Sequence, residues 1–302
     1  MQRSNTNNPQ IIVRLKGGLG NQLFIYAFAK AMSLKNDVDL SLDTISGFSQ
    51  DKTYKRQYLL DHFAINDKIA SPWESYQHFG GEKRRELMKR LNTFLPLMRR
   101  NYITERKRGF DAGIFDMPVM RTRYFDGYWQ SYKYFNGVED LIRRNLSLSF
   151  AITPEIRQEA DMIRSCNAVC IGIRRFEDVP ERRRHHRLIL GVDYYLKAMD
   201  IIKRMIPDPY FFIFTQDRIW ARHNLPLESS KITLVNERDL HLGVLVDLWL
   251  MTLCKHYVIS NSTLYWWGAW LNENPGKLVI APQDGWGGHD MVPPAWISLK
   301  AS

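Results

Sequence analysis

The run from Ala168 to Asp178, Ala-Val-Cys-Ile-Gly-Ile-Arg-Arg-Phe-Glu-Asp, constrains this chain more than any other stretch. An apolar, β-rich segment stops abruptly at Arg174 and Arg175, and two carboxylates, Glu177 and Asp178, follow at once. A strand apolar on both faces belongs in a parallel sheet covered by helices on both sides. Open α/β sheets bind ligands outside the carboxyl ends of their strands, so the arginine pair stands where an anion could meet it. A solvated Arg-Arg/Glu-Asp cluster on a loop is the alternative, and this stretch alone weighs the two equally.

The residues after 150 repeat that pattern. Thr153 and Pro154 read as cap and first position of a helix reaching about residue 164. Strands follow at 168–173, 210–215, 231–235, 256–260 and 277–281, separated by helices at 192–205, 239–254 and 262–273 and a short helix after 215. Regular alternation of this kind predicts a doubly wound α/β domain. At 302 residues the chain is long for one core, and the boundary falls near residue 150, giving domains 1–150 and 151–302. With 45% apolar and 13% aromatic residues, both should pack as globular units.

The first domain opens with a strand at 11–15, the turn Lys16-Gly17-Gly18-Leu19-Gly20-Asn21-Gln22, and a helix whose Leu23, Ala27, Ala31 and Leu34 follow the helical interval. Gly18 and Gly20 let backbone approach a ligand, and the helix start beside Asn21 and Gln22 offers N–H groups to negative charge. A tight βα turn in any α/β protein has the same composition. Val38, Leu40 and Leu42 alternate with Asp39, Ser41 and Asp43, which predicts a strand with one wet face. Asp37-Val38-Asp39 resembles a metal-holding acid pair, but it falls at a strand entrance with nothing to complete an oxygen shell, and reads as structural. Residues 84–100 are strongly basic, with Leu87, Leu91, Phe94, Leu95 and Met98 on one helical face. Packing of that face on its own domain is the default expectation, and peripheral contact with a membrane surface is the alternative. The aromatic stretch 124–135, which includes Asp126, suits either a sugar site or edge packing.

In the second domain the basic insert 181–187 either borders the arginine strand's ligand or is solvated loop. Gln216 and Asp217 sit at the carboxyl end of the strand 210–215, where Asp217 could hold a base or ribose, though capping the next helix is the better reading. Asn261, Ser262 and Thr263 place hydroxyl and N–H donors at another helix start, which favours phosphate. The tryptophans behind them read as core, and Gly268 and Ala269 as residues that let that helix approach the sheet.

A net charge of +10 favours an anionic partner without choosing one, and the basic residues follow no recognised nucleic-acid motif. Three cysteines inside apolar patterns give no disulfide framework. No metal-ligand spacing, signal peptide or membrane-length apolar span is evident, so the expected location is cytoplasmic, with peripheral attachment to the inner membrane as the alternative.

Five stretches together, Gly17 to Phe24, Gly127 to Ser131, Ile173-Arg174-Arg175, Phe212 to Asp217 and Asn261 to Asn272, resemble in this order the motifs of the family 11 glycosyltransferases, the α-1,2-fucosyltransferases. The resemblance runs from residue 11 to about 286. It implies a GT-B fold, two Rossmann-like domains facing across a nucleotide-sugar cleft, with domain 1–150 on the acceptor side and domain 151–302 binding GDP-fucose. That molecule is the donor substrate; no cofactor or metal is implied. The implied acceptor is a galactose-terminated oligosaccharide or lipid-linked glycan, fucosylated with inversion. Donor-binding candidates are then Gly18, Gly20, Asn21, Gln22, Arg174, Arg175, Gln216, Asp217, Asn261, Ser262 and Thr263. Arg174 is the expected stabiliser of the leaving diphosphate, because a guanidinium can fork two hydrogen bonds to phosphate oxygens. Arg175 is expected either to contact the donor or to brace the loop through Glu177 or Asp178. Glu177, Asp178 and Asp126 are the candidates for a base on the acceptor hydroxyl. The chain departs from the family's His-x-Arg-Arg-Gly-Asp at Gly172, which replaces the histidine, and from its Ser-Asp-Asp at Thr215-Gln216-Asp217.

Overall fold

The computed structural model describes residues 8–49, 51–75, 81–176, 188–238, 242–286 and 290–301. Two compact units divide the chain, Met1–Ser149 with Gly287–Met291, and Phe150–Trp286 with Val292–Ser302.

The first unit is built on β1 (Gln10–Arg14), α1 (Leu19–Asn36), β2 (Asp39–Asp43), β3 (Lys68–Ile69), α2 (Gly81–Thr93), β4 (Tyr102–Thr104), α3 (Ala112–Phe115), β5 (Arg123–Asp126) and α4 (Glu139–Asn145). Its five strands lie parallel in the order β3-β2-β1-β5-β4. α1 is buried on nearly every side, because it packs on β1 and β2 and is also met by short helical turns at 60–62 and 132–135. Phe28 stacks on Trp129 with ring centroids 4.2 Å apart. Leu34 departs from the expected stripe and is exposed. Asp37 ends α1 in the left-handed region, φ 51°, with its N–H on the last helical carbonyls, which is the structural role expected of it. β2 differs from expectation: Ser41 and Asp43 are buried along with Leu40 and Leu42. An interior strand of a covered sheet has no wet face, and both polar side chains find partners there, Ser41 with Gln10 and Asp43 with Ser46 and Tyr124.

The second unit contains α5 (Pro154–Arg164), β6 (Asn167–Ile173), α6 (Val192–Met205), β7 (Pro209–Thr215), α7 (Arg218–Asn224), β8 (Ile232–Leu234), α8 (Gly243–Leu253), β9 (His256–Ile259), α9 (Thr263–Leu271), β10 (Val279–Pro282) and β11 (Ile297–Leu299). Thr153 caps α5 through Ile156 N–H, with Pro154 in the first turn. Six parallel strands run β11-β10-β9-β6-β7-β8. Val169, Ile171 and Ile173 on one face of β6 join the core under α6, while Cys170 and Gly172 point to the other. Trp266 and Trp267 are wholly buried. Gly268 serves a helix–helix contact, not a helix–sheet one: a Cβ there would lie 2.9 Å from Met251 Cβ of α8.

In both sheets the strand order reverses beside the first strand. From β1 the strands move outward to β3, then the chain crosses to the far edge for β4 and steps back to β5 beside β1; β6, β7 and β8 move outward before β9 returns to the other side of β6. Connections leave a reversal in opposite directions and open a crevice at the strands' carboxyl ends.

Candidate active site

In the second unit the reversal lies between β6 and β9, and the residues that follow these strands are Arg174-Arg175 and Ser260-Asn261-Ser262-Thr263. Ser260 N–H donates to Gly172 O at 2.9 Å, which locks the two strand ends together. Tyr265, in the first turn of α9, lies against Gly172 and donates its hydroxyl to Ile173 O at 3.0 Å. The Tyr265 ring of the neighbouring helix therefore fills the space beside Gly172.

On the other side β7 pairs with β6 so that Thr215 meets Ile173, and this puts Gln216 beside Arg174. Arg174 Nη1 donates to Gln216 Oε1, and its guanidinium lies 5.1 Å from the Phe176 ring. Arg175 turns away from this contact. It pairs with Asp217 Oδ2 at 3.3 Å and stacks over Trp220 at 4.5 Å. Asp217 Oδ1 accepts Trp220 N–H at 2.9 Å as the cap of α7. Both Asp217 oxygens are thus engaged within the protein, and Arg175 is braced by Asp217; Glu177, Asp178 and the insert 181–187 lie outside the described residues.

The start of α9 is less committed. Ser262 is its cap residue in extended conformation and makes no side-chain cap bond. Asn261 Nδ2 donates to Leu188 O and Gly285 O, at 3.0 and 3.1 Å, while its Oδ1 and the buried Ser260 Oγ have no hydrogen-bond partner among the described residues. Buried oxygens without partners are costly, and here two stand at the point where the strand order reverses.

In the first unit the reversal lies between β1 and β5. The residues following β1 include Gly17, at φ 77°, and Gly18, the extended cap of α1. A side chain at Gly17 would meet Asn21 Nδ2 at 2.8 Å and the Tyr128 ring at 3.3 Å. Asn21 Oδ1 accepts from Gln130 Nε2 at 2.8 Å, which joins the glycine turn to the loop after β5. Gly20 is buried in the first turn of α1. Gln22 is wholly buried: its Nε2 donates to Gly17 O and Gln57 O, and its Oε1 accepts from Leu59 N–H. Its amide ties the glycine turn to residues 57–59 from a wholly buried position.

Asp126 at the end of β5 is buried in an ionic cluster. Lys16 Nζ and Arg14 Nη1 flank it, the latter at 3.3 Å, and Tyr102 donates its hydroxyl at 2.7 Å. Burial pushes its proton affinity up, but Lys16, Arg14 and Tyr102 together outweigh that and hold the carboxyl below its usual range. A carboxylate so stabilised is a weak base, which counts against the role expected of Asp126. Glu105, two residues past Ile103 on β4, was missed from sequence. It accepts Tyr128 N–H at 2.9 Å and Trp129 N–H at 3.1 Å, and burial raises its affinity for a proton above the usual carboxylate range despite these bonds. The clasp holds Trp129 at φ 53°, a left-handed conformation rare for a bulky residue. Lys16, whose Nζ also lies 4.8 Å over the Tyr128 ring, and Ser260 were legible only as neighbours of the motifs that contain them.

Two parallel α/β units, each with its motif loops at the reversal of strand order, are the architecture of a GT-B glycosyltransferase. Residues 10–285 match Glycosyl transferase family 11, and the chain belongs to that family. It is 26% identical to an α-1,2-colitosyltransferase of Escherichia coli, over 96% of this chain and 99% of the relative. It is also 26% identical to the O-antigen biosynthesis glycosyltransferase WbnK of Escherichia coli, over 94% and 99%. Among solved structures it is similar to a mutant of Arabidopsis thaliana FUT1 in complex with GDP, with TM-score 0.55 and 11% identity over 97% of this chain and 76% of that one. POFUT1 in complex with GDP gives TM-score 0.50 and 11% identity over 91% and 99%. These two likenesses show the fold.

Proposed function

We propose that this glycosyltransferase moves L-fucose from GDP-fucose, with inversion and without a metal ion, to a hydroxyl of a glycan acceptor, O2 of a terminal β-galactose. The observation that carries the reading is the position of Arg174 at the strand-order reversal, beside the uncapped start of α9. As the bond to the sugar breaks, negative charge grows on the β-phosphate, and a preorganised cation or N–H group meeting it lowers the barrier. Arg174 supplies the cation, oriented by Gln216. Ser262, Thr263 and the first N–H groups of α9 supply donors for phosphate. Residues 151–302 are in this reading the donor side and residues 1–150 the acceptor side. The GDP held by both solved neighbours named above agrees with the nucleotide.

The proton of the acceptor hydroxyl goes to Glu177 or Asp178, since the partners of Asp126 lower its affinity for a proton and make it the weaker base. A second donor is favoured by one observation, the α-1,2-colitosyltransferase among the relatives. Colitose differs from fucose by one missing hydroxyl, so the same diphosphate machinery would serve either.

Calorimetry with GDP, GDP-fucose, GDP-mannose and UDP-galactose, in EDTA, tests the donor. Selective binding of the guanine nucleotides is expected, followed by fucose transfer to a β-galactoside whose linkage is read by NMR. Equal binding of all four, or of none, would sink the reading; turnover with GDP-colitose and not GDP-fucose would select the second donor.

A further inference from the structure

α2 is turned with its apolar stripe outward. Arg85 and Asn92 are the buried residues of this helix, 2% and 4% exposed, and Met88 packs against the core cluster formed by Ile12, Ala70, Tyr102 and Tyr124. Asn92 fixes that orientation: its Oδ1 accepts from Asn101 N–H at 2.8 Å and Tyr102 N–H at 3.1 Å, at the entrance to β4. At 3.6 residues per turn, Leu87 and Leu91 point about 130° away from Arg85 and Asn92. Their exposures are 55% and 53%, and just past the helix Phe94 reaches 86%. The expectation that this stripe packs on its own unit is therefore overturned, because Asn92 Oδ1, accepting two backbone N–H groups, decides which face turns inward.

The charges around the stripe say what it fits. On the helical wheel Lys83 and Arg90 flank the leucines on one side and Arg84 on the other. From Gly81 to Arg100 there are seven Lys or Arg and two Glu. Of the two acids, Glu82 pairs with the buried Arg85 and Glu86 lies 3.8 Å from Lys89. Leucines and a phenylalanine on one side of a helix, rimmed by cations, suit the boundary between acyl chains and anionic headgroups. A second copy of the chain fits poorly, since a two-fold contact would set the same basic rim against itself.

We propose that α2 and the turn through Phe94 are a docking surface for an anionic phospholipid membrane. Leu87, Leu91 and Phe94 enter the interface while Lys83, Arg84 and Arg90 meet the headgroups. The surface lies wholly in the first unit, and the proposal does not depend on which sugar nucleotide the enzyme uses.

Sedimentation of the full chain with vesicles tests it, comparing phosphatidylcholine alone with phosphatidylcholine containing phosphatidylglycerol. Binding to the anionic vesicles only, weakening with salt, is expected. A Leu87→Ser/Leu91→Ser/Phe94→Ser variant and a Lys83→Gln/Arg84→Gln/Arg90→Gln variant should each lose more than tenfold in partitioning, with circular dichroism and GDP affinity unchanged. Equal recovery with neutral vesicles, no recovery with either, or undiminished binding by the apolar variant would overturn the proposal. So would a wild-type dimer that the serine variant turns into a monomer, which would assign the face to a second copy.

Discussion

The ring of Tyr265 occupies the space that a side chain at Gly172 would need: a Cβ on Gly172 would lie 2.3 Å from Tyr265 Cγ. The two residues are one packing unit at the strand end that carries Arg174. Gly172→Ala should therefore cost about 1–3 kcal/mol in stability, the usual penalty of overpacking. The same substitution in a Tyr265→Ser background should cost much less, because the colliding ring is gone. Denaturant unfolding of the four proteins measures the coupling; strict additivity would show that the contact does not govern the site.

Much of the second unit was legible because its elements carry one clear period each. β6 reads as apolar on both faces and is buried on both, and α6 appears at the interval expected, 192–205. β5 was hidden because its sequence, Arg-Tyr-Phe-Asp, has no apolar alternation. Its polar ends are stabilised from afar, Arg123 by the carbonyls of Leu97 and Met98 and Asp126 by Lys16 and Arg14. β3 and β11, of two and three residues, are too short to show any pattern. In α2 the stripe was visible but not its direction, since periodicity says which residues share a face and not what that face meets. The motif loops were likewise readable as anion-seeking, whereas the pairing of Arg175 with Asp217, or of Tyr265 with Gly172, depends on strand order.

Gln22 has a role that stability and ligand measurements can separate. Gln22→Ala removes the acceptor of Leu59 N–H and the donor to Gly17 O and Gln57 O in a fully buried place. A loss of about 2 kcal/mol is expected. The rise in melting temperature produced by saturating GDP should stay as large as in the wild type. A rise that disappears would mean that Gln22 touches the nucleotide.

Arg174→Ala should lower the rate of transfer by about two orders of magnitude or more, the effect of removing a preorganised charge stabiliser. Arg174→Lys keeps the charge but loses the planar fork, and should fall between the two. Gln216→Ala, which frees the guanidinium from one orienting contact, should cost less than Arg174→Ala. Single-turnover rates with donor in excess read these losses apart from binding. Near-normal rates in Arg174→Ala would remove this residue from the leaving-group role.

Asp126 predicts a particular pH profile. Its partners depress its folded proton affinity, so the unfolded chain takes up the proton first as pH falls. The stability it contributes is present above the ordinary aspartate value, about 3.9, and is lost as pH falls through the lower folded value. Asp126→Asn leaves Arg14 and Lys16 without their carboxylate in a buried place and should cost about 3 kcal/mol at neutral pH. The gap between variant and wild type should stay level from pH 8 to about 5 and close only below about 4. Urea unfolding at stepped pH reads it directly. A gap that closed between pH 7 and 5 would mean that Asp126 titrates near neutrality, and would return it to the candidates for the base.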